Sequence, residues 1–378
     1  MKKVLHIVEA FGGGVFNYVR DCANWQAERY EVTVAFCMIE KTPSGFMGQF
    51  DRRVRFVEMT GCGRSMNPLK NFKAIDAVRE IAHKLQPDVI HLHSSFAGFW
   101  GRLAVNGDDI PLFYSPHAYG FVMQNATRFE RKLYLWLEKI AGKRPCITVC
   151  DCMSEYDESK TVTSKSVCIN NGIDICELEE TVQKLHVTPS GIVPTVFMMG
   201  RICAQKNPAQ FNRLAQRFPE IPFLWIGDGE ARALLTSPNI KVTGWVSREE
   251  AVAYALGCDI FLFTTLWESL SLALLECLYL RKICIAMDAE GNRDVISNGV
   301  NGFLCYSDDD MEKALSKVLS GGVDWGRLVE NAHDDVVREY NTEMKNSRLS
   351  ALYQNPWEAV QRQRRLADDV GKISYSFK

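Results

Sequence analysis

The sequence predicts an α/β protein made of two parallel sheets, each covered by helices on both faces. Two observations carry this. Short apolar segments alternate with longer amphipathic ones along most of the chain, and the alternation stops at a turn-rich stretch and then restarts. A strand buried on both faces reads as a continuous apolar run, and a crossover to a parallel neighbour needs a helix-length connection. A length of 378 residues also suits two domains.

In the first half, Val4–Val8 reads as a strand, Gly12-Gly13-Gly14 as the turn after it, and Val15–Arg29 as a helix. Glu31–Met38 and Val54–Met59 are the next strands. Pro68–Leu85 is a helix with Phe72, Ile75, Val78, Ile81 and Ala82 on one side. Asp88–His93, Leu112–Ser115 and Cys146–Cys150 are strands, with helices at Phe96–Val105 and Arg128–Ala141. The stretches Asn170–Asp174 and Thr188–Pro194 are rich in turn residues and mark the break. Thr195–Met199, Phe223–Ile226, Lys241–Thr243, Asp259–Phe263 and Lys282–Ala286 are then strands, with helices between them such as Pro208–Phe218, and residues 308–353 are helical. We expect two Rossmann-like domains with a cleft between them, at 1–171 and 172–339. A helix within about 340–378 is expected to pack back on the first domain, and the polar tail from Asn355 to pack only loosely. In such sheets ligands bind beyond the carboxyl ends of the strands, so the loops there hold the chemistry.

Composition narrows the function classes. The chain is 47% hydrophobic and 24% charged, with a net charge of -2, so bulk charge gives nucleic-acid binding no support. No run approaches the roughly 18 apolar residues of a membrane span, and Val4–Val8 is too short for a signal peptide. The 13 cysteines include no Cys-x-x-Cys pair; they read as reduced thiols packed as small hydrophobes, and a cytoplasmic location is expected. No structural metal is expected.

The richest segment is Thr265-Leu-Trp-Glu-Ser-Leu-Ser-Leu-Ala-Leu-Leu-Glu276, where a strand turns into a helix. The free N–H groups of such a helix start favour phosphate. Glu268 in the loop and Glu276 two turns into the helix can both reach hydroxyls of a nucleotide sugar. Gly200-Arg201 and Lys206 follow the first strand of the second domain, where two cations could neutralise a diphosphate: Arg as a fork, Lys as a point charge. Gly227-Asp-Gly-Glu230 and Gly244 put small residues along the same rim. In the first domain, Gly13 and Gly14 let a bound anion approach the backbone, although a plain tight turn would use the same residues. Asn17 and the absence of an acidic end to the second strand speak against a dinucleotide fingerprint. His117 ends a strand within Tyr114-Ser-Pro-His117. His91 and His93 alternate on one strand and read as packing and hydrogen-bonding groups rather than a metal pair. Asp308-Asp-Asp310 reads as helix capping. The helix Arg128–Ile140 carries Phe129, Leu133, Trp136 and Ile140 on one face among several Arg and Lys. Its plain reading is a core-facing helix, and its sharper one a surface that leans on anionic lipid.

Taken in order, these segments resemble the GT-B fold glycosyltransferases of the large retaining family 4, a type common in bacterial surface-polysaccharide synthesis. The resemblance runs from Val4 to about Tyr353. It rests on Gly12–Gly14, His91–Gly98 with Gly101-Arg102, Ser115-Pro-His117, Asn171–Asp174, Gly200-Arg201 with Lys206, Gly227–Glu230 and the Glu268/Glu276 pair. It implies that Arg201 and Lys206 hold the donor diphosphate and that Glu276 binds the ribose. Glu268 faces the donor sugar, the backbone of Ser269, Leu270, Ser271 and Leu272 holds sugar and phosphate, and Gly227 lies on the donor rim. His117 lies near the anomeric side, and Gly13 and Gly14 make room for phosphates and acceptor. It further implies a UDP-linked donor, no metal, and a glycan or polyprenyl-diphosphate-linked acceptor. The work would be done at the inner face of the cytoplasmic membrane, with peripheral membrane contact. Family members often carry Gly after the first Glu; this chain has Ser269 there, Ser271 two residues on, and Glu290-Gly-Asn-Arg-Asp294 where a Gly-Gly-x-x-Glu loop is common. Two alternatives share the architecture: a sugar-nucleotide epimerase and a non-catalytic sugar-nucleotide binder.

Overall fold

The computed structural model describes residues 1–40, 42–124, 126–185 and 193–363. Of the punctuated stretch expected at 188–194, residues 188–192 lie outside this set, as does the tail from 364 onward. In chain order the elements are β1 (Lys3–Val8), α1 (Gly13–Gln26), β2 (Glu31–Phe36), β3 (Arg55–Glu58), α2 (Pro68–Leu85), β4 (Val89–His93), α3 (Ser95–Ala104), β5 (Leu112–Ser115), α4 (Arg128–Ala141), β6 (Ile147–Cys150), α5 (Met153–Ser159) and β7 (Ser166–Cys168). They continue with α6 (Ile175–Lys184), β8 (Val196–Met199), α7 (Pro208–Arg217), β9 (Phe223–Ile226), β10 (Ile240–Val242), α8 (Arg248–Leu256), β11 (Ile260–Phe263), α9 (Leu272–Tyr279), β12 (Ile283–Met287), α10 (Glu290–Val295), β13 (Phe303–Cys305), α11 (Asp308–Leu319), α12 (Trp325–Glu339) and α13 (Thr342–Gln354). The chain forms two compact units, Met1–Asn171 with Thr342 onward, and Gly172–Asn341.

Each unit holds one parallel sheet. The first has the order β3-β2-β1-β4-β5-β6-β7, the second β10-β9-β8-β11-β12-β13. Strand order therefore reverses beside β1 and again beside β8, and loops diverge at those points. Among the elements not anticipated, β7, β13, α5 and α10 are too brief for periodicity to register, while α6, with 10 residues, directly follows the turn-rich stretch Asn170–Asp174 that marks the break. Helix starts follow capping chemistry. Asn67 accepts from the Leu69 N–H ahead of Pro68, and Asp174 from the Glu177 N–H. At α11 the cap is Ser307, which accepts from the Asp310 N–H, while the three aspartates fill the first turn and favour the dipole. All 13 cysteines are free thiols. No helix among the described residues is long and apolar enough to cross a membrane.

The first sheet sorts its side chains with period two. Val4 and Val8 join one core with α1 and α13; Leu5 and Ile7 join another with α2 and α3. The C-terminal segment belongs to the former: Leu349, Leu352, Tyr353 and Val360 are all buried in it. The expected loosely packed tail is therefore corrected over 356–363, which are helical and seat Val360 in the core.

Three histidines lie on the α1/α13 face of this sheet. His6 pairs in register with His91, and His93 follows on the same face of β4. Each ring nitrogen has a partner. His6 Nε2 is 2.8 Å from Gln26 Oε1 and its Nδ1 2.9 Å from His93 Nε2; His91 bonds the Tyr353 hydroxyl at 2.6 Å and Ser115 Oγ at 3.0 Å. Burial holds His6 down to about 4 and holds His91 and His93 well below the ordinary imidazole value. An unfolded chain protonates all three on acidification, while the folded one resists. Stability is therefore present above about pH 6.5 and is lost as pH falls towards 4. Glu155 acts in the opposite sense, because burial and neighbouring Asp151 push its carboxyl up from 4.5 to about 7. Burial raises the Glu9 carboxyl in the same sense, and with three histidines against two carboxyls the urea midpoint of the N-terminal unit should still fall between pH 6.5 and 4. The fall should be smaller in His91→Asn, and a midpoint that stays flat or rises would contradict this account.

Candidate active site

In the C-terminal unit the chemistry gathers beyond β8 and β11, the two strands that flank the reversal of strand order. Lys206 follows β8 in a short 3-10 turn, and Glu268 follows β11. Their side chains meet, Lys206 Nζ to Glu268 Oε2 at 2.5 Å, and Lys206 Nζ lies 4.6 Å from the centre of the Phe263 ring. The two loops are stitched together around this pair. The Leu266 N–H donates to the Gln205 carbonyl, Gln205 Nε2 to the Trp267 carbonyl, and Thr264 Oγ1 to the Lys206 carbonyl. The pair's geometry is thus set by backbone rather than by two free side chains. Arg201 is partly exposed, and among the described residues it has no carboxylate partner.

Ser269, Leu270 and Ser271 are buried between Glu268 and α9, with Leu272 half-buried at the helix start. Ser271 occupies the N-cap position, yet its side chain makes no capping hydrogen bond, and Ser269 Oγ is buried without a partner among the described residues. The first-turn N–H groups of α9 are therefore not satisfied by their own cap, which suits an anion. Gly291 closes the loop from behind. Its N–H donates to the Glu268 carbonyl, and a Cβ there would collide with the Ser269 carbonyl oxygen. A glycine is thus demanded inside Glu290–Asp294, at the loop that departs from the common family pattern.

Glu276 is buried on α9 but pairs with none of the expected site residues. Its Oε1 accepts from Arg248 Nη1 at 2.8 Å, and Arg248 Nε lies 3.6 Å from Glu177. Arg248 carried no signal in the sequence beyond its place at the start of a capped helix, Ser247-Arg-Glu-Glu250. The rim glycines have steric reasons. Gly200 and Gly227 hold φ of 137° and 133°, and a Cβ on Gly227 would strike the Gly200 carbonyl, so the loops after β8 and β9 touch backbone to backbone.

In the N-terminal unit, Gly13 and Gly14 are exposed at the start of α1, where Gly12 is the N-cap. A Cβ at either would meet nothing within 4 Å, so packing does not require them; Gly13 has a φ of 58°. His117 follows β5 and is largely buried. Nδ1 lies 2.7 Å from Asp151 Oδ2 and Nε2 3.1 Å from His93 Nδ1, and the Tyr18 ring meets it edge-on at 4.5 Å. His117 and Ala118 both have positive φ, 53° and 73°, which is costly for residues other than glycine. The Glu155 carboxylate clamps this turn by accepting from the Ala118 N–H at 2.8 Å and from the Asp151 N–H at 2.7 Å. Asp151 and Glu155 were not picked out from the sequence, because neither lies in a recognisable motif.

The core-facing reading of α4 is overturned. Phe129 and Trp136 are 76% and 57% exposed, and Ile140 is exposed too. The helix is instead seated by Glu138, which is buried and accepts from Arg102 Nη2 at 2.8 Å and from the Tyr114 hydroxyl at 2.9 Å. A buried, fully hydrogen-bonded ion pair orients the helix, and its apolar face points away from the unit.

Two family descriptions match the chain. Glycosyltransferase Family 4 matches residues 12–177, and Glycosyl transferases group 1 matches residues 189–335. An Escherichia coli relative, UDP-Gal:alpha-D-GlcNAc-diphosphoundecaprenol alpha-1,3-galactosyltransferase, is 27% identical over 77% of this chain and 81% of its own. Among solved structures, sucrose-phosphate synthase from Thermosynechococcus elongatus superposes with a TM-score of 0.77 at 15% identity, covering 95% of this chain and 100% of that one. Anabaena Alr3699/HepE in complex with UDP superposes with a TM-score of 0.72 at 16% identity, covering 94% and 100%. With its two parallel sheets, its loops gathered at the strand-order reversals and both family descriptions matched in sequence, the chain belongs to the family 4 glycosyltransferases of GT-B architecture.

Proposed function

We propose that this glycosyltransferase moves a sugar, with retention of configuration, from a UDP-linked donor to a glycan or polyprenyl-diphosphate-linked glycan in cell-surface polysaccharide synthesis. The observation that carries the donor side is the Lys206–Glu268 pair at the β8/β11 reversal, beside the start of α9, whose N-cap side chain makes no capping bond, and Arg201, which has no carboxylate partner among the described residues. Breaking the bond between sugar and nucleotide develops negative charge on the diphosphate. Arg201, Lys206 and the first-turn N–H groups of α9 are fixed donors for that charge. Glu268 takes the sugar hydroxyls, the Ser269–Leu272 backbone holds sugar and phosphate, and Glu276 takes the ribose. His117 is assigned to the anomeric side, and Gly13 and Gly14 to the space for phosphate and acceptor. Glu268 and Glu276 are held by Lys206 and Arg248, so in this reading the donor binds by exchange: each hydroxyl or phosphate group takes the place of one of these partners. The Escherichia coli relative's name supplies the UDP-linked donor and the lipid-diphosphate acceptor in this reading.

The outward face of α4 fits such an acceptor. Exposed Phe129, Trp136 and Ile140 are flanked by exposed Arg128, Lys132, Lys139, Lys143 and Arg144, a pattern suited to the interface of an anionic membrane at the cytoplasmic face.

Three outcomes test this reading. With a panel of nucleotide sugars, Lys206→Ala should lower turnover on the order of 10²-fold, as for loss of one charge-stabilising donor, and Glu276→Ala should mainly weaken nucleotide binding. Unchanged turnover in Lys206→Ala would remove the diphosphate assignment. Activity should survive EDTA; complete loss restored by Mg²⁺ would show that a cation supplies what the fixed donors are assigned here. The protein should sediment with vesicles containing anionic lipid and be released by salt, and Phe129→Ala with Trp136→Ala should weaken that binding. Equal binding to neutral vesicles, or none to either kind, would count against the membrane face.

A further inference from the structure

Only one oxygen of the Glu9 carboxylate has a structural task. Glu9 directly follows β1 and continues the side-chain row of Leu5 and Ile7, on the face covered by α2 and α3. It lies at the carboxyl end of the sheet, beside the β1/β4 reversal, and its side chain is fully buried. Oε2 accepts from the Ala97 N–H at 3.1 Å, in the first turn of α3. This is a helix cap supplied by another element, because Ser94 at the N-cap position has a φ of 71° and makes no side-chain cap bond. A neutral oxygen could do the same work. Oε1 has no hydrogen bond among the described residues and faces Arg64 Nε at 3.4 Å. A buried carboxylate oxygen without a hydrogen bond is costly, and the Arg64 side chain, 64% exposed, offsets little of that cost. Arg64 also opens a rim of distinct composition. Met66, Leu69 and Phe72 are exposed at the start of α2, with exposed Lys70 and Lys73 among them. Since α3 packs against both α2 and α4, this rim and α4 flank the same helix.

We propose that Glu9 and Arg64 form a subsite for a prenyl-diphosphate-linked sugar acceptor. Glu9 Oε1 accepts from a hydroxyl of the acceptor's first sugar. Arg64 turns from Glu9 to the diphosphate, where its guanidinium meets two oxygens at once. The prenyl chain then lies over Met66, Leu69 and Phe72, with Lys70 and Lys73 beside the negative charge. From the buried end outward the order is hydrogen-bond acceptor, cation, apolar surface, and the ligand has the complementary order of hydroxyls, diphosphate and hydrocarbon. The start of α3 does not take the diphosphate, because the Glu9 carboxylate already occupies it. Arg64 is the exposed half of the pair, so it is the half that moves when a ligand arrives. Glu9 binds and orients the acceptor, and no covalent bond to it forms or breaks. The inference rests on the proposed function for the acceptor class alone, and not for the donor.

Equilibrium binding of N-acetylglucosamine linked through a diphosphate to a short prenyl chain, measured on the full chain without donor, tests the subsite. Glu9→Gln keeps an oxygen for the Ala97 N–H and removes the charge. Its thermal midpoint should not fall, while the probe should bind about 10- to 100-fold more weakly, as for loss of a hydrogen bond to a charged group. In turnover the KM for this acceptor should rise by the same factor, with kcat and the KM for the donor nearly unchanged. Arg64→Ala should weaken the probe more than benzyl N-acetylglucosamine, which has no diphosphate. Because Arg64 is exposed, this variant decides the matter even if Glu9→Gln does not fold. Binding to anionic vesicles without the probe should be the same for Glu9→Gln as for the unaltered protein. Unchanged probe binding in both variants, an equal loss for vesicles and probe, or no binding of the probe by the unaltered protein would overturn the subsite. If the probe binds and responds to both substitutions but receives no sugar, the functional reading falls and the subsite stands. If sugar is transferred to the probe regardless of either substitution, the subsite falls and the functional reading stands.

Discussion

The structure depends on one topological constraint: parallel strands can be laid outward in both directions from a starting strand, and where the direction reverses, neighbouring loops must part. In the N-terminal sheet this happens between β1 and β4, and in the C-terminal sheet between β8 and β11. Everything assigned a role lies at or beside these openings. Gly13 and Gly14 follow β1, and His117 follows β5, the strand next to β4. Lys206 follows β8, and Glu268 follows β11. The sheets hold these residues still, because each strand there is buried on both faces and its backbone groups are taken up by its neighbours. The residues with unusual backbone angles, such as Ser94, His117, Gly200 and Asn207, gather at the same ends, where the chain must leave a straight strand sharply.

A second regularity is that the charged groups of the two sites, the partly exposed Arg201 apart, are neutralised in place. Lys206 meets Glu268, Arg248 meets Glu276, and His117 meets Asp151. Burying a lone charge is costly, so a site that must present charges without a ligand holds them in pairs. Pairing also aims them. Each side chain is already desolvated and oriented, so little reorganisation remains when a substrate replaces a partner.

How much of this was legible follows from the reach of each interaction along the chain. The strand–helix alternation, the glycines after strands and the Lys206 and Glu268 loops could be read, because each is a local pattern of a few residues. The partners could not. Arg248 reaches Glu276, and His6 reaches His93, across 28 and 87 positions, and no spacing rule spans such distances. His91 and His93 stood out as an alternating pair, but the third histidine, His6, was invisible until β1 and β4 were placed side by side. The orientation of α4 was misread for a related reason. Its apolar stripe invited a core-facing assignment, and the deciding residue was Glu138, whose burial depends on Arg102 and Tyr114 from other elements. Short strands such as β7 and β13 have too few residues to show a period at all.

The return of the chain to its first unit has a temporal consequence. After leaving at Asn171, it comes back at Thr342, and Leu349, Leu352, Tyr353 and Val360 then complete the core beneath α1, with the Tyr353 hydroxyl reaching His91. During synthesis the early strands emerge long before these residues exist. The second unit, contiguous from Gly172 to Asn341, has all its parts as soon as it clears the ribosome, whereas the first must wait with one face of its sheet uncovered. The part of the protein translated first is therefore the part finished last.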